Sequence, residues 1–133
     1  MPQRAFFYKE TNGFRVTVHP VYLVAESDQD IGRYVFSYTV RIENCSRTTA
    51  QLRSREWIIS DSIGEEYHVS GEGVVGQQPV LQPSDVHEYR SFCVLKSSYG
   101  TMAGFYTFRD DNDGEFFVMV PEFLLTIPDV PLH

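Results

Sequence analysis

Little in this sequence could hold a metal or run redox chemistry. Its 133 residues contain two cysteines and four histidines. Neither Cys45 nor Cys93 has a second cysteine at metal-ligand spacing. Each lies in a strand-like stretch, so both are expected as buried free thiols. His19, His68, His87 and His133 form no H-x-x-x-H pair, and each is expected as a surface or partly buried ring with no metal. Basic residues are scarce as well: eleven Lys and Arg face eighteen Asp and Glu, a formal net charge of −7. Such a field repels phosphate backbones, so nucleic acid is not the expected partner. No apolar run approaches the ~20 residues that span a bilayer. The start, "MPQRAFFYKE", returns to a charge too soon for a secretory core, so a cytoplasmic chain without membrane insertion is expected. Amphipathic helix spacing is missing too, and with it the crossover that a parallel sheet needs.

Period-two alternation is abundant. In "RYVFSYTVRIENC", Tyr34, Phe36, Tyr38, Val40 and Ile42 share one face. "FRVTVHPVYLVA" repeats the pattern, its Pro20 pointing to an edge, a bulge or a change of sheet. Further strands are expected in "AQLRSREWIIS", "EEYHVS", "VHEYRSFCVLK", "MAGFYTFR" and "EFFVMVPEFLLTI", with a hairpin at Asp113-Gly114. Seven or eight antiparallel strands and a 14% aromatic content predict one all-β domain over residues 1–133, a two-sheet sandwich. Proline-interrupted strands favour the sandwich over a barrel, which has no edges. Residues 1–12 and 129–133 are expected as flexible ends.

"GEGVVG", Gly71 to Gly76, matches the spacing G-x-G-x-x-G of dinucleotide sites. That motif works only where the third glycine opens a helix whose amino end binds pyrophosphate. Here Pro79 and Pro83 follow four residues apart and forbid the helix. The acidic residue expected about 20 positions on is replaced by Lys96, Ser97 and Ser98. What survives is an anion-binding nest of backbone N–H groups, helped by Arg53, Arg55 or Arg90 and opposed by Glu72. The stronger reading is structural: Gly71, Gly73 and Gly76 bend an extended segment, Val74 and Val75 tuck into the core, and Pro79 fixes the exit.

No constellation reads as catalytic, and the chain is not expected to be an enzyme. Asp85, His87 and Ser91 are close in sequence but lack a nucleophile elbow or oxyanion device. Asp110 to Gly114 resembles a calcium loop, but its glycine is one place early and the twelfth residue is Pro121, so a solvated hairpin tip is expected. Trp57, two places from Arg55 on the same face, fits either a core indole with a stacked arginine or a recognition surface. Tyr99, Phe105 and Tyr106 pose the same choice.

Several features occur together and in order: Arg55 with Trp57, the glycine segment ending in Pro79, Tyr89 with Ser91, Gly100 with Met102 and Gly104, and Pro121 with Phe123. From Phe14 to Pro128 the chain resembles the ApaG family, small bacterial proteins with related domains in F-box proteins and a polymerase-interacting protein. The resemblance implies a fibronectin type III-like, immunoglobulin-like sandwich. One departure is Ser84, where relatives often carry glycine; a negative φ is expected there. The family's label links it to cobalt tolerance and magnesium efflux, and its genes neighbour one for a diadenosine-tetraphosphate hydrolase. A chain without a membrane span could act on ion transport only indirectly. The leading expectation is a non-enzymatic interaction module that recognises a protein through an edge strand or an aromatic, glycine-lined surface, with no cofactor. Gly71, Gly73, Gly76, Arg55, Arg90 and Trp57 are its candidate residues. The alternatives are nucleotide or pyrophosphate binding at the glycine bend, and a metal-responsive regulator.

Overall fold

The structure, a computed structural model, describes residues 6–128. Nine strands carry nearly all of it: β1 (Phe7–Thr11), β2 (Phe14–Tyr22), β3 (Tyr34–Asn44), β4 (Ala50–Asp61), β5 (Glu66–Glu72), β6 (Val80–Leu81), β7 (Val86–Leu95), β8 (Tyr99–Asp110) and β9 (Glu115–Thr126). A single turn of 3₁₀-helix, Gln29–Ile31, interrupts them. Sheet 1 has the order β1-β2-β3-β7; sheet 2 has β5-β4-β8-β9, with β6 paired to β4. Every pairing is antiparallel. The two sheets form the expected sandwich.

Alternation decides which side chains meet between the sheets. Phe14, Val16 and Val18 of β2, with Phe36, Val40 and Ile42 of β3, face Leu52, Tyr106, Phe108, Val118, Phe123 and Leu125 of sheet 2. Trp57 sits at the centre, 3% exposed, edge-on to Tyr38, Tyr106 and Phe123. Gly104, directly across from Trp57 in the β4–β8 ladder, makes this packing possible. A Cβ there would lie 2.0 Å from the Glu56 carbonyl oxygen and 3.0 Å from the indole. Asn44, fully buried at the end of β3, is satisfied on both sides. Its Nδ2 donates to the carbonyls of Thr48 and Leu81, and its Oδ1 accepts from the amide and hydroxyl of Ser46.

Three expectations are corrected. Residues 7–11 belong to a strand, because β1 pairs with β2 from Phe7↔Val18 to Thr11↔Phe14, while the stretch 129–133, with His133, lies outside the described residues. The β2 strand is internal and shows no bulge, despite Pro20. The Leu23 amide donates to Val35 O, which fixes odd residues of β2 as those bonded to β3. Pro20, being even, turns its missing donor toward β1, beyond the last β1–β2 pair described, so no ladder bond to β3 is lost. Ser84 has φ +76°, not a negative value. It is the third residue of a turn opened by Gln82 and Pro83 and closed by the Asp85 amide donating to Gln82 O, a type II geometry that favours glycine there.

Candidate functional site

The glycine segment closes the far end of β5, and its three glycines do different jobs. Gly71 faces Arg55 across the β4–β5 ladder, and the guanidinium lies against it; a Cβ would be 3.0 Å from both terminal nitrogens. Arg55 Nη1 then donates to the carbonyls of Glu72 (3.1 Å) and Gly73 (2.8 Å). Gly73 has φ +66°, and a Cβ would lie 2.3 Å from Gln77 O. Gly76, φ +76°, is the second central residue of a two-residue hairpin turn in which Val74 and Gln77 exchange both backbone hydrogen bonds. The first central residue is Val75, at φ +47°, a conformation that β-branched residues rarely adopt. Val74 enters the core as expected, whereas Val75 is 61% exposed, because the turn that buries one of the pair must display the other.

The residues named for an anion site are not brought together. Arg55 projects from the inner face of sheet 2, its Nη1 engaged by carbonyls rather than poised beside amides. Arg90 sits in sheet 1 opposite Thr39, on the outer face, with its guanidinium 5.3 Å from the Phe92 ring centroid. Of the segment's amides, those of Gly73 and Val74 already donate to Arg53 O and Gln77 O. Trp57 is a core residue and presents no recognition surface.

Behind Arg55 lies a phenol cluster. Tyr89 of β7 and Tyr106 of β8 share a hydroxyl–hydroxyl bond of 2.5 Å that joins the two sheets. Burial raises both phenol pKa values well above the ordinary range, and it also raises that of Tyr38 nearby. Arg55 partly offsets the effect at all three. Cys93 is buried and its thiol is pushed up to about 11. The other thiol departs from expectation: Cys45, just past the end of β3, is exposed. His87 faces inward, its Nε2 buried without a hydrogen-bond partner among the described residues, and burial lowers its pKa. At the acidic hairpin tip, Asp110 Oδ1 accepts from the amides of Asn112 and Gly114, so the turn itself occupies that carboxylate. No group of three potential metal-binding side chains occurs among the described residues.

The outward positions hold features that the sequence pattern understated. On sheet 2, Ile58 and Ala103 face each other across the β4–β8 ladder, Phe105 faces Met119 across β8–β9, and Phe105 packs edge-on against Phe117 at 5.1 Å. Phe117 is 56% exposed, and Ile58, Met119 and Leu124 are exposed as well. A sandwich ordinarily turns polar groups to such an outer face instead. On sheet 1 a concavity of about 280 Å³ is lined by Phe6, Thr17, His19, Thr39, Arg41 and Glu88. At the margins, β1 lies along β9, with Asn12 Nδ2 donating to Phe117 O. On the other side β5 and β7 are edge strands, each without a second neighbour among the described residues.

Fold and site together define a small antiparallel β-sandwich of the fibronectin type III kind, whose conspicuous features are surfaces rather than a pocket of reactive groups. No helix among the described residues is long and apolar enough to cross a membrane. The model of the ApaG domain matches residues 24–110, and the chain belongs to the ApaG family. It is 44% identical to Protein ApaG of Brucella canis over 119 residues, 90% of this chain and 92% of that one. Protein ApaG of Anaeromyxobacter dehalogenans is 47% identical over 118 residues, 89% of this chain and 93% of its own. The crystal structure of a Bordetella pertussis protein described as ApaA superposes with a TM-score of 0.85 at 44% identity, covering 92% of this chain and 97% of that one.

Proposed function

We propose that this domain is a non-enzymatic protein-interaction module whose contact surface is the outer face of sheet 2. The observation that carries the reading is the contiguous apolar set Ile58, Ala103, Phe105, Phe117 and Met119 on that face. Aromatic side chains and methionine are the types that concentrate binding energy at protein interfaces. Glu56, Glu115, Glu122 and Arg109 are outward neighbours on the same strands and supply a charged rim. The partner that fits is a protein with a complementary apolar patch bordered by charge. Two phenylalanines in edge-on contact also lose little conformational freedom on binding, which favours affinity.

The experiment is affinity capture from cell extract with three baits: wild type, Phe105→Ser/Phe117→Ser, and the control Val24→Ser on the exposed loop after β2. A protein retained by wild type and control but lost with the double variant supports the reading. Equal capture by all three baits, with circular dichroism confirming that each is folded, removes sheet 2 as the contact surface.

A further inference from the structure

The exposed edge of β7 carries a pattern that is complementary to itself. Asn44 N donates to Asp85 O, which fixes odd residues of β7 as those bonded to β3. The N–H and C=O groups of Val86, Glu88, Arg90, Phe92 and Val94 therefore point away from the sheet, along an edge with no neighbouring strand among the described residues. Their side chains all lie on the outer face and all are exposed, Phe92 at 58%. Edge strands of this length are normally blunted by charge, because free ladder groups recruit any extended chain. Here the charges are Glu88 and Arg90, one of each sign, and neither takes part in an ion pair among the described residues.

Sliding this edge past a copy of itself, antiparallel, leaves one register in which everything matches. With the two-fold axis at Arg90, the two arginines oppose each other. At Glu88, the two glutamates oppose. At Ser91, Arg90 faces Phe92 and Glu88 faces Val94, leaving both charges against apolar side chains. With the axis at Tyr89, Glu88 faces Arg90 twice and Val86 faces Phe92 twice. All four of those pairs join residues whose backbone groups point outward, so ladder bonds form at the same positions. We propose that two copies of this chain pair through their β7 edges in that register, making one continuous eight-stranded sheet from the two copies of sheet 1. The contact buries little area beyond the edge strands, which places the dimer among weak, concentration-dependent associations. It leaves the outer face of sheet 2 uncovered in both copies, so it stands or falls independently of the interaction surface proposed above.

Sedimentation equilibrium from about 1 µM to about 500 µM, a range chosen to bracket a micromolar dissociation constant, tests the pairing. The expected result for wild type is a shift from the monomer mass to twice that mass. Glu88→Arg alone opposes arginines, and Arg90→Glu alone opposes glutamates, so each variant is expected to weaken dimerisation by about tenfold or more. An equimolar mixture of the two restores opposite signs at both contacts and is expected to recover the wild-type mass. Each substitution is at an exposed position, and circular dichroism verifies the fold. A monomer at every concentration overturns the proposal. So does a dimer that ignores both charge reversals, or single variants that stay monomeric when mixed.

Discussion

Replacing each glycine of the 71–76 segment with alanine separates three physical demands that the motif spacing treats as equal. Gly76 has φ +76° and nothing within 4 Å of the place its Cβ would occupy, so Gly76→Ala incurs only backbone strain. A left-handed L-residue costs about 1–2 kcal/mol, and reduced freedom of the unfolded chain returns about 0.4–1 kcal/mol. The net expectation is a loss of about 0.5–1 kcal/mol. Gly73→Ala meets the same strain at φ +66° and adds a Cβ 2.3 Å from the backbone oxygen of Gln77, which cannot swing aside as a side chain can. Relieving that overlap breaks the pairing of Val74 with Gln77 or the bond from the Gly73 amide to Arg53 O. With about 1–3 kcal/mol for each buried group left unpaired, the total reaches about 3 kcal/mol. Gly71→Ala has no left-handed φ to strain, and its Cβ meets only the flexible end of Arg55, so it is expected within about 1 kcal/mol of wild type. Urea unfolding followed by Trp57 fluorescence measures all three, compared at constant m-value. The order Gly73 worst, Gly76 intermediate, Gly71 near neutral is required. Equal losses, or Gly71 as the worst, would refute the division of roles.

Ser84→Gly relieves φ +76° at the turn after β6 and is expected to raise stability by up to about 1 kcal/mol, read as a higher urea midpoint. Asn44→Leu leaves the Leu81 carbonyl and the Ser46 amide without their side-chain partner, a loss of about 3 kcal/mol in the same assay. Stability is expected to fall in alkali. The Cys93 thiol, at about 11 in the folded chain against 9.0 when unperturbed, keeps its proton while the unfolded state loses it. Its contribution is whole below pH 9.0 and is lost as pH rises toward about 11. The raised phenols of Tyr89 and Tyr106 extend the decline from pH 10.0 upward. Each group adds up to about 1.4 kcal/mol per pH unit within its window. Cys93→Ser should remove the earliest part of the decline in urea midpoint between pH 8 and pH 11, values chosen around that window. Cys45, being exposed, should react with a thiol reagent in the folded protein while Cys93 reacts only on unfolding.

Strands were legible because most have one buried face, which imposes period two, and seven of nine could be read from the sequence. The two that could not were β6, with only two residues, and β1, where Phe7-Tyr8-Lys9-Glu10-Thr11 shows no clean alternation. Register was not legible, since it depends on contacts far apart in sequence. The Arg55 bonds to Glu72 O and Gly73 O exist only because Arg55 falls opposite Gly71, a pairing no local pattern encodes. The same gap explains the candidate anion site. Arg55 and Arg90 are both plausible partners for the glycines until the sheet assignment puts one in each layer. Val75 and Ser84 were misread for a more local reason. Nothing in the composition of a turn announces that a valine or a serine must accept a left-handed backbone that glycine would take more cheaply.

The residues that carry the family resemblance largely serve the interior. Trp57, Met102, Gly104 and Phe123 line the layer between the sheets, Tyr89 bonds across it, and Gly71 and Gly73 seat Arg55 at its edge. Such residues specify a sandwich, and many different surfaces can be mounted on one sandwich. On the same strands, one step out of phase, stand Ile58, Ala103, Phe105, Phe117 and Met119. Because a strand assigns alternate positions to opposite faces, the inward set can be held fixed while the outward set changes without disturbing the core. If the outer face of sheet 2 is the contact surface proposed above, recognition is encoded between the motif residues rather than in them. Grafting this outward set onto the matching positions of the Brucella canis relative should transfer partner capture along with it, at unchanged thermal stability. Transfer achieved instead by exchanging Arg55 and the 71–76 segment would place recognition back at the glycines.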